Sequence, residues 1–281
     1  MRIANVSHRL ALLTTDGHAV DVEKASDGRF GASPQAIYRD WDEFRAWAES
    51  VKETGEPFQA DQLGSPAPAP RQVFGVGLNY RAHADESGFA VPDTLPPVFT
   101  KYPSAITGPV TRVRLPDNGH TDWEVELVAV LGRHAYQIDQ DAAWEHVAGL
   151  CVGQDISERI TQMQGPAPQF GLGKSFPGFA PMGPWLVTPD EFYDPDDLEL
   201  GCSINGEKVQ RGRTRDLVFS VPALIAKLSA VTTLYPGDVV FTGTPAGVGM
   251  GHTPPRYLAD GEHLVSYVEG IGELSQTFYS D

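Results

Sequence analysis

Cysteine and positive charge are both scarce in this chain. Only two cysteines, Cys151 and Cys202, occur among its 281 residues, and each lies in an apolar, strand-like run. We expect two buried, reduced thiols rather than a disulfide framework. Lysine and arginine number 21 against 37 acidic residues, which gives a formal net charge of −16. So acidic a surface disfavours nucleic-acid backbones and anionic membranes as partners.

Long apolar runs are missing as well. A membrane-spanning helix needs about 20 consecutive apolar residues, whereas the longest apolar run near the start is Leu10–Leu13. No apolar segment typical of a signal peptide follows Arg2. We therefore expect a cytoplasmic protein with no membrane and no nucleic-acid partner.

Two nucleotide-binding motifs are incomplete. The run Gly171–Ser175 ends like a P-loop, but Pro168 stands where that motif requires its first glycine. Gly75-x-Gly77 begins like a dinucleotide fingerprint, but Tyr80 replaces the third glycine. We therefore expect neither a nucleotide triphosphate site nor a Rossmann domain.

The chain does contain an apolar strand that begins with acidic residues, Asp122–Gly132. Side chains alternate between the two faces of a strand, so Glu124 and Glu126 point the same way, with Cα atoms roughly 6.6 Å apart. Two carboxylates near a core need a raised pKa, a basic partner or a bound cation. Two carboxylates at a solvated strand end need none of these, and the strand alone leaves both interpretations open.

The organisation along the chain indicates two parts. The stretch Ser65–Pro70 alternates proline with small residues, as stiff connectors do. We expect a small α+β N-terminal domain over residues 1–68 and a larger catalytic domain over 69–281. Asn205-Gly206 between strand-like runs predicts a β-hairpin in the larger part.

Two further sites admit two interpretations each. Asp155 ends an apolar strand; it suits the N-cap of a helix over 156–163, and it is also a third acid for a metal site. His83 and Glu86 are three residues apart and share one face of a helical turn. Glu86 could orient His83 as a general base, or the two could form a solvated pair on the surface.

Seven short motifs occur in one order from Val73 to the C-terminus. They are Gly77-Leu78-Asn79-Tyr80-Arg81-x-His83, Glu124-x-Glu126-Leu127, Gly153-Gln154-Asp155-Ile156-Ser157-x-Arg159, Gly173-Lys174-Ser175-Phe176, Pro181-Met182-Gly183-Pro184-Trp185, Asn205-Gly206-Glu207-x-x-Gln210, and Pro236-Gly237-Asp238-Val239-Val240-Phe241-Thr242-Gly243-Thr244-Pro245-x-Gly247-Val248-Gly249. Together they resemble the fumarylacetoacetate hydrolase family, in particular its acylpyruvase-like and 2-hydroxyhepta-2,4-diene-1,7-dioate isomerase-like members.

The resemblance implies a fold and a cofactor. The fold is mixed and mostly β, a β-sandwich roll with peripheral helices, usually in a homodimer, and the small N-terminal domain is a variable addition. The cofactor is one Mg²⁺ or Mn²⁺ per subunit, held by Glu124, Glu126 and Asp155. Three oxygen ligands without a cysteine or histidine ligand set suit these ions better than zinc.

The resemblance also implies residue roles. His83 and Glu86 activate a water molecule, and Lys174 stabilises developing negative charge or the substrate carboxylate. Arg159 and Gln162 could hold that carboxylate too, or they could lie on a solvated helix. The substrate-binding candidates are Tyr80, Arg81, Arg159, Gln162 and Thr244.

The implied reaction is hydrolytic cleavage of a C–C bond in a 1,3-diketo acid such as an acylpyruvate or a fumarylacetoacetate-like compound. Decarboxylation of a β-keto acid such as oxaloacetate and isomerisation of a 2-hydroxy-diene-dioate use the same metal-stabilised enolate and stay open. A non-catalytic, ligand-binding member is a remote further alternative. Gly88 and the proline-rich run Val91–Pro97 predict that the segment Asn79–Pro92 is a lid over the site.

Overall fold

The protein is described here by a computed structural model that covers residues 1–52, 54–86, 88 and 90–281. Strands predominate, in line with the mostly β fold expected from the sequence. In chain order they are β1 (Arg2–Val6), β2 (Arg9–Leu13), β3 (Ala19–Asp21), β4 (Leu63–Gly64), β5 (Val73–Val76), β6 (Val98–Thr100), β7 (Ile106–Thr107), β8 (Val110–Arg114), β9 (Thr121–Asp122), β10 (Val125–Leu131), β11 (Val147–Gln154), β12 (Ser157–Glu158), β13 (Ala180–Val187), β14 (Glu199–Ile204), β15 (Glu207–Arg213), β16 (Val239–Phe241), β17 (His263–Val268) and β18 (Gly272–Tyr279).

The α-helices are short and lie around the sheets. They are α1 (Val22–Ala25), α2 (Trp41–Ala48), α3 (Arg81–Glu86), α4 (Arg159–Gln162), α5 (Phe170–Gly173) and α6 (Val221–Ser229). In the part of the chain that the structure describes, no helix has the length and apolar character needed to cross a bilayer.

The largest sheet has eleven strands and a central path in the order β3-β2-β1-β13-β11-β10-β16-β5-β6. β4 pairs with β1, and β7 pairs with β13. Because β1 bonds to both β2 and β13, the strands within residues 1–68 continue the sheet of the larger part. The proposed boundary between the two domains stays a prediction.

A five-stranded sheet in the order β15-β14-β17-β18-β8 and a two-stranded ladder of β12 with β9 complete the β structure. The hairpin predicted at Asn205-Gly206 is confirmed, since β14 and β15 pair antiparallel on either side of it. The β9–β12 ladder joins the segment before β10 to the segment after β11. It therefore holds the segment that leads into β10 beside the segment that follows β11.

Strand β10 separates two hydrophobic cores, and its side chains alternate between them as the period of two predicts. Val125, Leu127, Ala129 and Leu131 pack in one core with Trp123. The intervening Val128 and Val130 pack in the other core, which includes residues of α2 and β1. The strand is therefore buried on both faces, and the acidic side chains at its start project from within the protein.

Two sequence expectations about this region have clear outcomes. Both cysteines are free and buried, as predicted. The predicted helix over 156–163 is wrong in its bounds: α4 begins only at Arg159. Its N-cap is Glu158, whose carboxylate accepts from the backbone N–H groups of Ile160 and Thr161 at 3.0 and 2.7 Å. Asp155 is therefore not a cap, and its side chain is used elsewhere.

Candidate active site

The three predicted metal ligands meet at one end of the β10–β11 pair. Antiparallel pairing sets Glu126 opposite Gly153, and the backbone N–H of Asp155 donates to the carbonyl oxygen of Glu124 at 2.9 Å. One carboxylate oxygen from each of Glu124, Glu126 and Asp155 lies within 4.8 Å of the others. The side chains are buried, at 6%, 1% and 0% exposure. The alternative of two acids at a solvated strand end is therefore wrong.

Lys174 bridges two of these acids from the segment that follows α5. Its Nζ donates to Glu124 Oε2 and to Asp155 Oδ2, both at 2.7 Å. The ammonium group also lies 5.0 Å from the centre of the Phe99 ring. Lys174 is thus a cationic side chain within the cluster, and it contacts two of the three proposed metal ligands.

A second lysine, Lys101, contacts the same acid and was not singled out from the sequence. It follows β6, and its Nζ donates to Asp155 Oδ1 and to the carbonyl oxygen of Lys174, each at 2.5 Å. Burial lowers the pKa of Lys101, and the Asp155 carboxylate opposes that shift. The local sequence carried no signal for it, since the preceding strand Val98–Thr100 is itself largely exposed.

Arg159 and Gln162 are buried, so the solvated-helix interpretation of them is wrong. Arg159 Nε donates to Asp122 at 2.9 Å, and its Nη1 donates to Gln162 Oε1 at 2.9 Å. Its Nη2 forms ion pairs with Asp122 and with Glu124, each at 2.7 Å. Asp122 shares the strand face of Glu124 and Glu126, and that alternation could have identified it.

The pKa values of Glu124 and Glu126 are shifted in opposite directions by their surroundings. Burial by itself raises the pKa of Glu124, but the charges of Lys174, Arg159 and His83 hold it far below its ordinary value. Burial and the carboxylates of Asp155 and Glu124 raise the pKa of Glu126 well above its ordinary value. Among the described residues Glu126 has no ion-pair partner; its carboxylate accepts from the Gly243 N–H at 2.7 Å.

These acids fit a divalent cation. They supply three hard oxygen ligands from buried side chains, a donor set that suits Mg²⁺ or Mn²⁺. Glu126 in particular is a buried carboxyl without a cationic partner in the described part of the chain, a costly arrangement that a bound cation would compensate.

His83 and Glu86 lie on α3 and are not a surface pair. His83 is 8% exposed, and its Nδ1 is 3.5 Å from Glu86 Oε2. Both oxygens of Glu86 accept from the Gly247 N–H at 3.1 Å. Burial alone raises the pKa of Glu86, but the His83 side chain and the Gly247 amide lower it below its ordinary value. Glu86 is therefore an ionised partner, fixed beside the imidazole.

One loop holds several of these groups through its backbone. The N–H of Gly243 donates to Glu126, the N–H of Gly247 to Glu86, and the N–H groups of Gly249 and Met250 to Asp122. A Cβ on Gly249 would lie 2.0 Å from the Arg256 carbonyl oxygen. Only glycine therefore allows this close approach of loop and site.

Thr244, on the same loop, is bound within the protein. Its hydroxyl donates to the Val125 carbonyl oxygen at 2.9 Å and accepts from Gln210 Nε2 at 2.8 Å. Gln210 Oε1 in turn accepts from the Val125 N–H at 2.9 Å. Gln210 lies in a quoted motif, but its role in clamping the loop to β10 required the structure. A contact between Thr244 and substrate stays a prediction.

Tyr80 and Arg81 begin the helix that carries His83. Tyr80 is buried, and its hydroxyl has no hydrogen-bond partner among the described residues. Exposed Arg81 lines a cavity of about 500 Å³ together with Tyr80, Arg211 and Arg215. A larger cavity of about 890 Å³ lies among the N-terminal strands, and none of the candidate site residues lines it.

The segment expected to form a lid, Asn79–Pro92, contains α3 and the start of an irregular stretch that leads to β6. Ser87 and Phe89 lie outside the described residues. The role of this segment as a lid stays a prediction.

Comparison with known proteins agrees with this geometry. The family model of the fumarylacetoacetate (FAA) hydrolase C-terminal region matches residues 72–279. A crystal structure of a Mycobacterium smegmatis protein, provisionally named HpcE, is 55% identical with a TM-score of 0.94, covering 100% of this chain and 99% of that one. The roll with peripheral helices expected from the sequence is confirmed by that similarity.

Two other solved structures carry more specific names. Maleylpyruvate hydrolase from Sphingobium sp. SYK-6, in complex with manganese (II) ion and pyruvate, is 26% identical with a TM-score of 0.81, covering 100% of this chain and 99% of that one. 2-Hydroxyhepta-2,4-diene-1,7-dioate isomerase from Mycobacterium marinum is 30% identical with a TM-score of 0.73, again covering 100% and 99%. Hydrolases and isomerases thus share this fold.

Proposed function

The chain belongs to the fumarylacetoacetate hydrolase family, and from this premise we propose that it is a metal-dependent hydrolase of 1,3-diketo acids. The substrate is an acylpyruvate or a fumarylacetoacetate-like compound, and the bond cleaved is a C–C bond next to a ketone. One observation supports this most directly. A buried cluster of three carboxylates lies close enough to His83 for that side chain to lower the pKa of Glu124, and His83 has its own carboxylate partner in Glu86.

We assign the cofactor to Glu124, Glu126 and Asp155. Mg²⁺ and Mn²⁺ both suit this ligand set, and the manganese (II) and pyruvate bound to the maleylpyruvate hydrolase support a cation that binds a 2-oxo acid. When bound, such a cation supplies a Lewis acid that stabilises the negative charge which develops on carbonyl oxygens.

His83 is the proposed general base. Glu86 faces Nδ1 at 3.5 Å and is ionised, so it favours the tautomer with the proton on Nδ1 and leaves Nε2 to accept a proton from water. The activated water adds to the carbonyl carbon distal to the 2-oxo acid. The C–C bond from that carbon to the neighbouring methylene carbon then breaks, and its electron pair leaves with the 2-oxo acid as an enolate, which takes up the proton held by His83. Because the Gly247 N–H fixes Glu86, the carboxylate orients the imidazole rather than competing for the water proton.

The remaining site residues bind and orient the substrate. We assign Lys174, Arg159 and Gln162 to its 2-oxo carboxylate and to the charge that develops in the transition state. The buried guanidinium of Arg159 and the buried ammonium of Lys174, both in contact with Glu124, are the cationic donors that support this assignment. Tyr80, with its unpaired hydroxyl, Arg81 and Thr244 stay proposed contacts for the distal part of the substrate.

Two other reactions use the same cluster without a nucleophilic water. A β-keto acid such as oxaloacetate loses carbon dioxide, and a 2-hydroxy-diene-dioate isomerises by proton transfer; the isomerase neighbour supports the second. Hydrolysis is preferred because the buried His83–Glu86 pair is suited to water activation. A non-catalytic ligand-binding protein would not need that pair.

A substrate screen in ¹⁸O-labelled water separates these reactions. The Mn²⁺-loaded and Mg²⁺-loaded protein is incubated with acylpyruvates, fumarylpyruvate-like diketones, oxaloacetate and a 2-hydroxy-diene-dioate, and the products are identified by mass spectrometry. The proposal expects an ¹⁸O-labelled carboxylic acid together with a 2-oxo acid such as pyruvate. Carbon dioxide or an isomer without label as the product of the best substrate overturns it.

We further propose that the enzyme works in the cytoplasm as a homodimer, as the family resemblance implies. Two free, buried cysteines are consistent with a reducing compartment. Light scattering during size-exclusion chromatography measures the mass in solution, and a monomer at micromolar concentration contradicts the dimer.

A further inference from the structure

Lys101 makes a contact that the proposed mechanism does not use. Its ammonium donates to Asp155 Oδ1, and both side chains are sealed from solvent, at 0% and 1% exposure. Its other acceptor is the backbone carbonyl oxygen of Lys174. The Lys101 ammonium therefore has two fixed acceptors, and only one of them belongs to a proposed metal ligand.

The two lysines differ in what an arriving cation does to them. Lys174 bridges Glu124 Oε2 and Asp155 Oδ2, so a cation held by both acids competes for its two acceptors. Lys101 bonds the other oxygen of Asp155 and a main-chain carbonyl, so a cation that took Oδ2 in place of Lys174 would leave both bonds intact. The charge of Lys101 therefore stays beside the site when Lys174 gives way.

The charge balance of the cluster depends on this lysine. The buried cluster contains the carboxylates of Asp122, Glu124, Glu126 and Asp155, and the cations Lys101, Arg159 and Lys174. With all groups ionised and a divalent cation added, one positive charge is left over, and without Lys101 none is. In a buried site an uncompensated charge is unfavourable, so the loaded site favours an anion that supplies the missing charge.

We propose that Lys101 is a positioning residue that acts through Asp155 to make the metal-loaded site selective for anionic ligands, weakening the cation and strengthening the 2-oxo acid. This inference rests on the proposed function, because it concerns the same metal and substrate site. Its consequence is that metal and anion bind as a pair: each supplies the charge that makes binding of the other favourable.

Calorimetry on Lys101→Met tests this. Methionine keeps an unbranched stem and removes the ammonium. The probes are Mn²⁺ titrated into the metal-free protein and oxalate, an uncleaved 2-oxo acid analogue, titrated into the Mn²⁺-saturated protein. We expect Mn²⁺ affinity to rise about tenfold and oxalate affinity to fall about tenfold, which is about 1.4 kcal/mol in each direction. Lys208→Met, which removes an exposed lysine from β15, is the matched control and changes neither affinity.

The opposite directions of the two expected affinity changes distinguish an effect of the Lys101 charge from a purely structural effect. A merely structural role for Lys101 loosens Asp155, and loss of such second-sphere support lowers metal affinity by about 10- to 100-fold. A loss of affinity for both probes, or no change in either, therefore overturns the inference. Lys101→Gln, which keeps a donor for one acceptor but no charge, repeats the test if the methionine variant does not fold. A wild-type protein that binds no Mn²⁺ overturns the proposed function instead.

Discussion

Replacement of Glu126 by glutamine is expected to stabilise the metal-free protein. Glutamine keeps an oxygen that accepts from the Gly243 N–H, and it removes a carboxyl whose pKa is raised by burial and by Asp155 and Glu124. Two unit charges at 4.8 Å repel by about 3.5 kcal/mol at an effective dielectric constant of about 20. Lys174 offsets part of this repulsion, so we expect a gain of about 1–3 kcal/mol at pH 8.

The gain depends on pH in a definite direction. The folded-state pKa of Glu126 lies above its ordinary value of 4.5, so over that range the native state holds a proton which the unfolded chain has released. The contribution of Glu126 to the stability of the metal-free wild type therefore falls as the pH rises from about 4.5 through the raised pKa, by at most about 1.4 kcal/mol per pH unit. Glu126→Gln lacks this contribution. The difference between the two proteins is small at pH 4 and grows towards pH 8.

Bound metal is expected to reverse the order of stability of the wild type and Glu126→Gln. A cation at 100 times its dissociation constant stabilises the wild type by about 2.7 kcal/mol, and Glu126→Gln, with one carboxylate fewer, gains far less. Urea unfolding followed by tryptophan fluorescence, with a chelator or with Mn²⁺, measures both effects. Glu273→Gln, the same change at an exposed position of β18, controls for charge alone. A Glu126→Gln variant that is less stable than the wild type without metal at pH 8, or equally stabilised by Mn²⁺, refutes this reasoning.

Three other outcomes follow from the site. His83→Ala should lower kcat for hydrolysis by about 10²- to 10⁴-fold and leave Mn²⁺ binding unchanged by calorimetry, since His83 is not a proposed ligand; an unaltered kcat rules out the base. Hydrogen exchange within Asn79–Pro92 should slow when oxalate and Mn²⁺ bind, and equal exchange in both states contradicts a lid. Gln210→Leu should destabilise the protein by about 3 kcal/mol in urea unfolding, because it leaves the Val125 N–H and the Pro245 carbonyl oxygen unpaired; a loss below about 1 kcal/mol means that the clamp is not needed.

The acid cluster was predictable because it follows from one strand and its period. Alternation along Asp122–Gly132 put Glu124 and Glu126 on one side, and the apolar residues that follow on both faces indicated a strand buried on both sides. The same alternation extends back to Asp122. Local reasoning left two interpretations open at Asp155. A cap preference is worth only about 1 kcal/mol, whereas contacts with two buried lysines fix this carboxylate.

The side chains that bind the acids and the strand beside them were harder to predict because they come from distant parts of the chain. Lys101 reaches Asp155 across 54 positions, and Gln210 reaches Val125 across 85. Neither hydrogen bond corresponds to a characteristic spacing or periodicity in the sequence. Lys174 was found only because it belongs to a motif of a known family. Pairings of this kind depend on sheet order, which the sequence does not specify residue by residue.

The loop that donates main-chain N–H groups to Glu126, Glu86 and Asp122 has a consequence for protein engineering. Every residue type except proline keeps its main-chain N–H. Ala246 and Met250 can therefore be varied in a library that leaves out proline, without loss of a donor. Half-buried Ala246 lines the cavity shared with Tyr80 and Arg81, and Met250 is exposed. These two positions can therefore take other side chains while the acids stay anchored by the main chain.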